Sequence, residues 1–282
     1  MSFWNLLVFV LLCSCKQEPS ENETTKDIES SLPMADLECI PGGEYISIED
    51  TPTTGLDYAE ICEPHLGIVP SFDCNDGVVI PIKVDGEKIW RDVDFYNCDD
   101  YSMQVGQCIP GSTVTRITGQ ELDGTQKPEV VWIGFCRVQV ASTDAQIGVF
   151  NYDNHVQMIG YNTETGATCF FNGKQNFALH DGLQESEEVW RAKGVVPSSL
   201  EPDFLEVMGP PTLPQCVICH KSNPFIHSTW IDQAKLPNNQ DETVLPILND
   251  PNPPYWIVGH SDWDMRTIHI EGNGCISCHR IN

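Results

Sequence analysis

Short runs of apolar residues, separated by polar turn residues, dominate the chain from about residue 37 to 185. The turn signals Asp85-Gly86 and Thr163-Glu164-Thr165-Gly166 lie between such runs, and helical periodicity is nearly absent. The predicted strands cover residues 78–84, 130–140, 145–152, 156–161 and 167–171. Strands of this length and spacing predict a β-rich domain over residues 37–194, built as an antiparallel sandwich or an open barrel.

A different pattern begins at about residue 195. Eleven prolines between Pro197 and Pro254 interrupt any long regular element. The only helix that the pattern favours lies just before this point, at 185–193. A segment this rich in proline needs something besides backbone hydrogen bonding to organise it. We therefore predict a small, irregular, mostly α module over residues 195–282, ordered around bound cofactors.

The N-terminus begins with one apolar run, Phe3 to Leu12, followed at once by polar sequence. The run is too short to cross a bilayer and has the length of a signal-peptide core. We predict a signal peptide over residues 1–14. Residues 16–36 are polar and acidic and cannot bury enough apolar surface to fold, so with Cys15 they form a predicted tether over 15–36.

The end of the apolar run, Leu12-Cys13-Ser14-Cys15, resembles the lipobox of bacterial lipoproteins. The resemblance implies cleavage before Cys15 and lipidation of that residue. Lys16 follows instead of the Asp that commonly retains lipoproteins in the inner membrane, which favours the outer membrane. The n-region Met1-Ser2-Phe3 departs from the pattern because it has no basic residue. Plain secretion into the periplasm is the alternative.

Composition restricts the partners. The chain has 41 acidic and 15 basic side chains in 282 residues, a formal net charge of −26. Nucleic acid is disfavoured, because Lys and Arg are needed to displace phosphate counterions. The thirteen cysteines point to an oxidising compartment outside the cytosol.

Two C-x-x-C-H motifs carry the clearest chemistry. They are Cys216-Val217-Ile218-Cys219-His220 and Cys275-Ile276-Ser277-Cys278-His279. Two thiols three positions apart reach the two vinyl groups of one haem and form thioethers. The following histidine, His220 or His279, is then carried beneath the porphyrin as the proximal iron ligand.

Other interpretations of these four cysteines are less favoured. A zinc site normally separates its Cys pairs by 15 to 20 residues, whereas 55 separate these. Ordinary disulfides and a redox-active C-x-x-C remain as alternatives, although no βαβ pattern surrounds either pair. Over about residues 210–282 the motifs resemble those of multihaem c-type cytochromes. The resemblance implies two covalently bound haem c groups.

The sixth iron ligands are expected among the remaining histidines of the module. His227 and His269 are ranked first and His260 third, while Met208 and Met265 are His/Met alternatives. His227 and His260 share the pattern His-Ser-x-Trp, whose aromatic ring suits packing on a porphyrin. An open sixth position is a further alternative.

Seven cysteines remain in the predicted β domain, which predicts three disulfides and one leftover thiol. They are Cys39, Cys62, Cys74, Cys98, Cys108, Cys136 and Cys169. Their connectivity is not determined by the sequence, although Cys98 and Cys108 are close enough to close a hairpin.

Together these patterns predict an exported dihaem c-type cytochrome that transfers single electrons to or from a redox partner protein. It is held at a membrane through the lipid on Cys15, in the periplasm or at the cell surface. The first alternative is a haem enzyme, peroxidase-like or acting on a small molecule, with one open iron position. The second is a binding lipoprotein whose β domain performs the function.

Overall fold

The structure is a computed structural model, and it describes residues 52–90, 97–102, 106–144, 149–173, 191–210, 216, 219–220, 223–248 and 253–259. All of these residues belong to one compact unit, Glu44–Asn282. The helices with defined bounds in this part of the chain are α1 (Gly55–Leu66) and α2 (Phe204–Val207). Its strands are β1 (Phe72–Asp73), β2 (Val78–Val79), β3 (Ile82–Val84), β4 (Glu87–Ile89), β5 (Thr113–Gln120), β6 (Gln126–Asp144), β7 (Val149–Asn162), β8 (Ala167–Gly173), β9 (Val195–Val196), β10 (Met208–Gly209), β11 (Lys235–Leu236), β12 (Asn239–Thr243) and β13 (Trp256–Ile257).

One seven-stranded sheet organises the described residues. Its order is β10-β8-β7-β6-β5-β2, all antiparallel, and β13 adds to β8 in parallel. The predicted β-rich character of the N-terminal part is confirmed. The Asp85-Gly86 turn also forms, between β3 and β4, with both residues at positive φ. The strands predicted at 145–152 and 156–161 form one strand, β7, where the structure describes them.

Strand alternation gives the sheet a core on each face. On one face Trp132 and Phe171 pack with Tyr58 of α1 and Phe204 of α2. On the other face Phe135 and Tyr161 pack with residues of the C-terminal part, including Phe225, Trp230 and Val244. Both faces are therefore covered, which explains the unbroken apolar run from Val130 to Cys136 in the middle of β6.

Helix α1 was not expected from the apolar pattern. It begins at a capping box, in which the Thr54 side chain accepts from Asp57 N–H and the Asp57 carboxylate accepts from Thr54 N–H. It ends at Gly67, whose φ of 69° suits glycine. The Thr54/Asp57 spacing was the sequence signal for this helix.

The prediction of a mostly α module after residue 195 is wrong. In the described part of 195–259, α-helix is limited to α2 and the turn at Cys216 and Cys219, whereas β9 to β13 are strands. Two-residue strands need few consecutive N–H groups, so they form between prolines where a helix cannot. β9 pairs with β1 in a separate two-stranded sheet, whereas β10 and β13 both add to the outer edge of β8.

The predicted helix at 185–193 lies mostly outside the described residues, and its last three residues, 191–193, are not helical. The predicted boundary between residues 194 and 195 stays a prediction. The main sheet contains strands from before and after this boundary, because β10 and β13 both pair with β8.

Candidate functional site

Three residues of the first C-x-x-C-H motif are described: Cys216, Cys219 and His220. Cys216 and Cys219 have helical backbone, and the His220 N–H donates to the Cys216 carbonyl oxygen at 2.8 Å. The two thiols differ in their surroundings, since Cys216 is half-buried and Cys219 is exposed. His220 follows them directly in the sequence.

The motif packs on one face of the sheet, at strand β8. Cys216 packs against Phe170 of β8 and Ile257 of β13, with Ile159 and Tyr255 beside them. Phe170 projects from the face opposite to its neighbours Cys169 and Phe171, because side chains alternate along a strand. We call the group Phe170, Ile257, Ile159 and Tyr255 the seat of the motif.

At Phe170 the edge of β8 pairs with no strand of the described residues. β13 pairs with Ala167 and Thr168 at one end of β8, and β10 pairs with Asn172 and Gly173 at the other. Phe170 falls between them. The Tyr58 hydroxyl of α1 lies near the Phe170 backbone.

His220 is held from two directions. Its imidazole ring lies 5.0 Å from the Phe170 ring, centroid to centroid, at an interplanar angle of 52°. The Tyr255 hydroxyl donates a hydrogen bond to the His220 carbonyl oxygen. Ring and backbone of the predicted proximal ligand are therefore both fixed by the seat.

The His220 side chain has the protonation state that iron ligation requires. Burial lowers the pKa of His220 to about 4, and backbone hydrogen bonds at Asn223 and Pro224 only partly offset this by raising the pKa. Its Nδ1 is buried and has no hydrogen-bond partner among the described residues. An uncharged imidazole can bind a metal ion, and it can equally serve as a buried structural residue.

The two thiols of the motif remain free. Cys216 is half-buried and Cys219 is exposed. Burial, and to a lesser degree the neighbouring Cys219, raises the pKa of the Cys216 thiol to about 11. Cys216 is therefore an uncharged group in apolar surroundings, which suits a neutral thioether and does not suit a reactive thiolate.

Six other cysteines are paired, and the prediction of three disulfides is confirmed. The bonds are Cys62–Cys169, Cys74–Cys136 and Cys98–Cys108. Cys98 and Cys108 pair as their spacing suggested, while Cys39 lies outside the described residues. Three disulfides indicate an oxidising, exported environment. The Cys62–Cys169 bond ties α1 to β8 at the residue next to Phe170.

The second motif, Cys275, Cys278 and His279, lies outside the described residues. So do Cys15, His260, Met265 and His269. The predicted ligation by these residues, and the lipidation of Cys15, therefore remain predictions. Met208 is described and fully buried in the core with Phe171 and Phe204, in a different cluster from Cys216.

His227, the first-ranked distal ligand, already has two protein partners. Its Nδ1 lies 2.7 Å from the Asp232 carboxylate, and its Nε2 lies 3.3 Å from the Pro246 carbonyl oxygen. A carboxylate on one ring nitrogen is the usual support of a metal-bound histidine. Iron ligation through Nε2 would require that atom to leave Pro246.

The zinc alternative has no support in the described part of the chain, where no group of three or more His, Cys, Asp or Glu side chains is placed to hold a metal ion. No helix of the described residues is both long and apolar enough to span a membrane. Comparison with known proteins gives no match: neither a family model, nor a curated protein, nor a solved structure is significantly similar to this chain.

Sequence reasoning missed the residues of the seat. Phe170 belongs to a predicted strand, but nothing in the sequence paired it with His220, fifty positions later. Tyr255 and Ile257 follow the prolines Pro253 and Pro254, where no strand was expected. The only available signal was the apolar character of Tyr255 to Val258 beside these prolines.

Proposed function

We propose that this protein is an exported c-type cytochrome that carries two covalently bound haems and transfers single electrons between a partner redox protein and another carrier. Cys216 and Cys219 would hold the first haem, with His220 as the proximal ligand. Cys275, Cys278 and His279 would do the same for the second. When bound, each haem supplies the one-electron redox chemistry.

One observation carries this proposal: Cys216 and Cys219 are free thiols in a chain whose other six described cysteines are paired. An exported protein does not normally keep two neighbouring thiols, because the compartment oxidises them. Thioether bonds to haem consume both thiols. His220 follows the two thiols directly, is uncharged, and has no hydrogen-bond partner for its Nδ1 among the described residues. It would ligate the iron of the haem that the thiols bind.

The seat gives the site an apolar side and an open side. Phe170 and Ile257 exclude water from Cys216, and an apolar contact of this kind is what a porphyrin face needs. Cys219 is exposed, so the other side of the turn faces solvent. Electron exchange with a second protein requires such an accessible side.

A haem enzyme is the second candidate, and the position of His227 favours it. Asp232 and Pro246 both contact the imidazole of His227. If His227 keeps these partners, one iron has one fewer candidate for its sixth ligand, and an open iron position is what peroxide or substrate chemistry needs.

The test is intact mass spectrometry of the exported protein after acid-acetone extraction, which removes haem that is not covalently bound. The wild type should retain two haem additions. Cys216→Ser with Cys219→Ser should retain one, and Cys275→Ser with Cys278→Ser should retain the other. Cys98→Ser with Cys108→Ser is the matched control and should keep both. A wild type that loses all haem on extraction contradicts the proposal.

Lipid attachment at Cys15 belongs to the same proposal. Each buried acyl CH₂ contributes about 0.8 kcal/mol, so two or more acyl chains make attachment effectively permanent. Wild-type protein should fractionate with membranes, and Cys15→Ser should appear in the soluble fraction. Cys13→Ser is the control and should stay with the membranes. Soluble wild-type protein would instead support plain secretion.

A further inference from the structure

Phe170 occupies a firmly held position in strand β8. It is 3% exposed, and its backbone pairs with β7. Both of its neighbours in the chain are anchored on the opposite face of the sheet. Cys169 forms a disulfide with α1, and the Phe171 ring lies 5.0 Å from that of Tyr58, centroid to centroid. The backbone that carries the Phe170 ring is therefore fixed from both sides.

The imidazole of His220 packs on this ring, with 5.0 Å between the two centroids and 52° between the ring planes. A metal-bound histidine is usually oriented by a hydrogen bond from its other ring nitrogen. In His220 the buried Nδ1 has no hydrogen-bond partner among the described residues. Iron ligation through Nε2 would therefore leave the imidazole without a hydrogen bond to orient it.

The contacts around the imidazole differ in how well they are anchored. The backbone at Asn223 and Pro224 approaches the imidazole from an irregular segment. Phe170, by contrast, belongs to the central part of a strand in the main sheet. Packing on Phe170 is thus the contact best placed to limit rotation of the His220 ring.

Strand alternation separates Phe170 from the next phenylalanine, Phe171. Phe171 is 2% exposed and packs with Trp132 and Phe204 in the core of the other face. The two adjacent rings are therefore buried to the same extent, and Phe170 is the one that contacts His220. This pair allows the effect of the contact to be measured apart from the effect of losing a buried ring.

We propose that Phe170 is a positioning residue for the first haem: the packing of its ring on His220 fixes the rotation of the imidazole plane. The inference rests on the proposed function, in which His220 is the proximal iron ligand. The orientation of an axial imidazole sets the symmetry of the field at the iron, to which the ferric electron paramagnetic resonance spectrum responds. The Phe170 ring also keeps water from the ligand. Water favours the ferric form, which carries one more positive charge, so the ring should raise the reduction potential.

The experiment uses the exported protein with both haems. The resonance of the first haem is the one that is missing from Cys216→Ser with Cys219→Ser. Phe170→Leu should broaden this resonance, shift its largest g value and lower the midpoint potential of the first haem. Phe170→Tyr keeps an aromatic ring and should give the wild-type resonance. Phe171→Leu is the matched control: it should lower the urea unfolding midpoint about as much as Phe170→Leu does, and leave the resonance and the potential unchanged.

Phe170→Met is a second variant without the ring, and its flexible side chain fills the space that the ring leaves. An unchanged resonance in Phe170→Leu and Phe170→Met, an equal change in Phe171→Leu, or failure of Phe170→Tyr to give the wild-type resonance would overturn the proposal. So would loss of the first haem from every Phe170 variant, because Phe170 would then be needed for haem attachment. Intact mass of the same samples counts the haems. A wild type without covalent haem contradicts the proposed function and this inference together, whereas the other results contradict the inference alone.

Discussion

The Tyr255 hydroxyl donates a hydrogen bond to the His220 carbonyl oxygen, across 35 residues of sequence. That carbonyl lies at the end of the turn that carries both free thiols. A second buried phenol makes the same kind of bond nearby: the Tyr161 hydroxyl donates to the Pro254 carbonyl oxygen at 2.8 Å. Only the first of these bonds touches the motif.

Replacing each of these two tyrosines by phenylalanine tests whether Tyr255 positions the backbone of His220. Tyr255→Phe and Tyr161→Phe should each lower the free energy of unfolding by about 1 kcal/mol, because each loses one phenol–carbonyl hydrogen bond. Only Tyr255→Phe should broaden the ferric electron paramagnetic resonance signal of the first haem, since it releases the backbone of the proximal ligand. Equal spectra for the two variants, both altered or both unaltered, would remove the assigned role from Tyr255.

The distal ligands are testable by the same spectroscopy. With His227 and His269 bound, both irons should be six-coordinate and low-spin in the wild type. His227→Ala and His269→Ala should each convert one haem to high spin, and His260→Ala should convert none. Asp232→Asn should resemble the wild type in spin state while shifting the potential of one haem, because Asp232 contacts the His227 ring.

Two outcomes would change this assignment. High-spin iron in the wild type favours the haem enzyme with an open position. A spectrum of His227→Ala identical to that of the wild type leaves His227 as a structural residue held by Asp232 and Pro246.

The disulfides should differ in their contribution to stability. Cys62 and Cys169 are 107 residues apart, whereas Cys98 and Cys108 are 10 apart. On chain entropy alone, the longer loop contributes about 5 kcal/mol and the shorter about 3 kcal/mol. Replacing both cysteines of each pair by Ser and measuring denaturant unfolding should give this order. A larger loss for the Cys98–Cys108 variant would show that local packing, not loop closure, dominates.

His65 should make stability depend on pH. Burial, with a smaller effect of Lys127, lowers its pKa below the ordinary 6.5. Its ring also packs edge-on against Trp256 at 5.1 Å. Because the folded state disfavours the protonated ring, this stabilisation is complete above about pH 6.5 and is lost as the pH falls towards the folded pKa.

The measurement compares urea unfolding midpoints at about pH 7.5 and about pH 5.5. The wild type should lose stability on acidification, and His65→Gln should lose less. Lys127→Gln is a further control: it should raise the pKa of His65 and reduce the loss, since the repelling charge is gone. An unchanged pH dependence in both variants contradicts the assignment to His65.

Local signals predicted the β-rich part well. The Asp85-Gly86 turn and the predicted strands around Val130 and Ala167 all form, because alternation and turn chemistry act over a few residues. The pairing of Cys98 with Cys108 was accessible for the same reason. The predicted strand 78–84 is instead divided into β2 and β3, which belong to different sheets. Helix α1 was missed because its Thr54/Asp57 capping signal lies in sequence with little apolar periodicity.

The C-terminal part was predicted wrongly because its structure depends on contacts that are remote in sequence. Strands such as Met208–Gly209 and Trp256–Ile257 are too short to show a period. They are strands only because β8 offers them an edge. The motif Cys216–His220 was visible in the sequence, but Phe170 and Tyr255 came beside it only through the fold.

The pleat of strand β8 places the disulfide-bonded Cys169 and the free Cys216 on opposite faces of the strand. Cys169, on one face, is committed to Cys62, while Phe170, on the other, supports the thiol of Cys216. An inserted residue before Cys169 would exchange the two faces, because side chains alternate with a period of two. Cys169 would then lie on the same face as Phe170 does now, next to Cys216, and a wrong disulfide would become accessible. The register of β8 therefore determines which of these cysteines can pair.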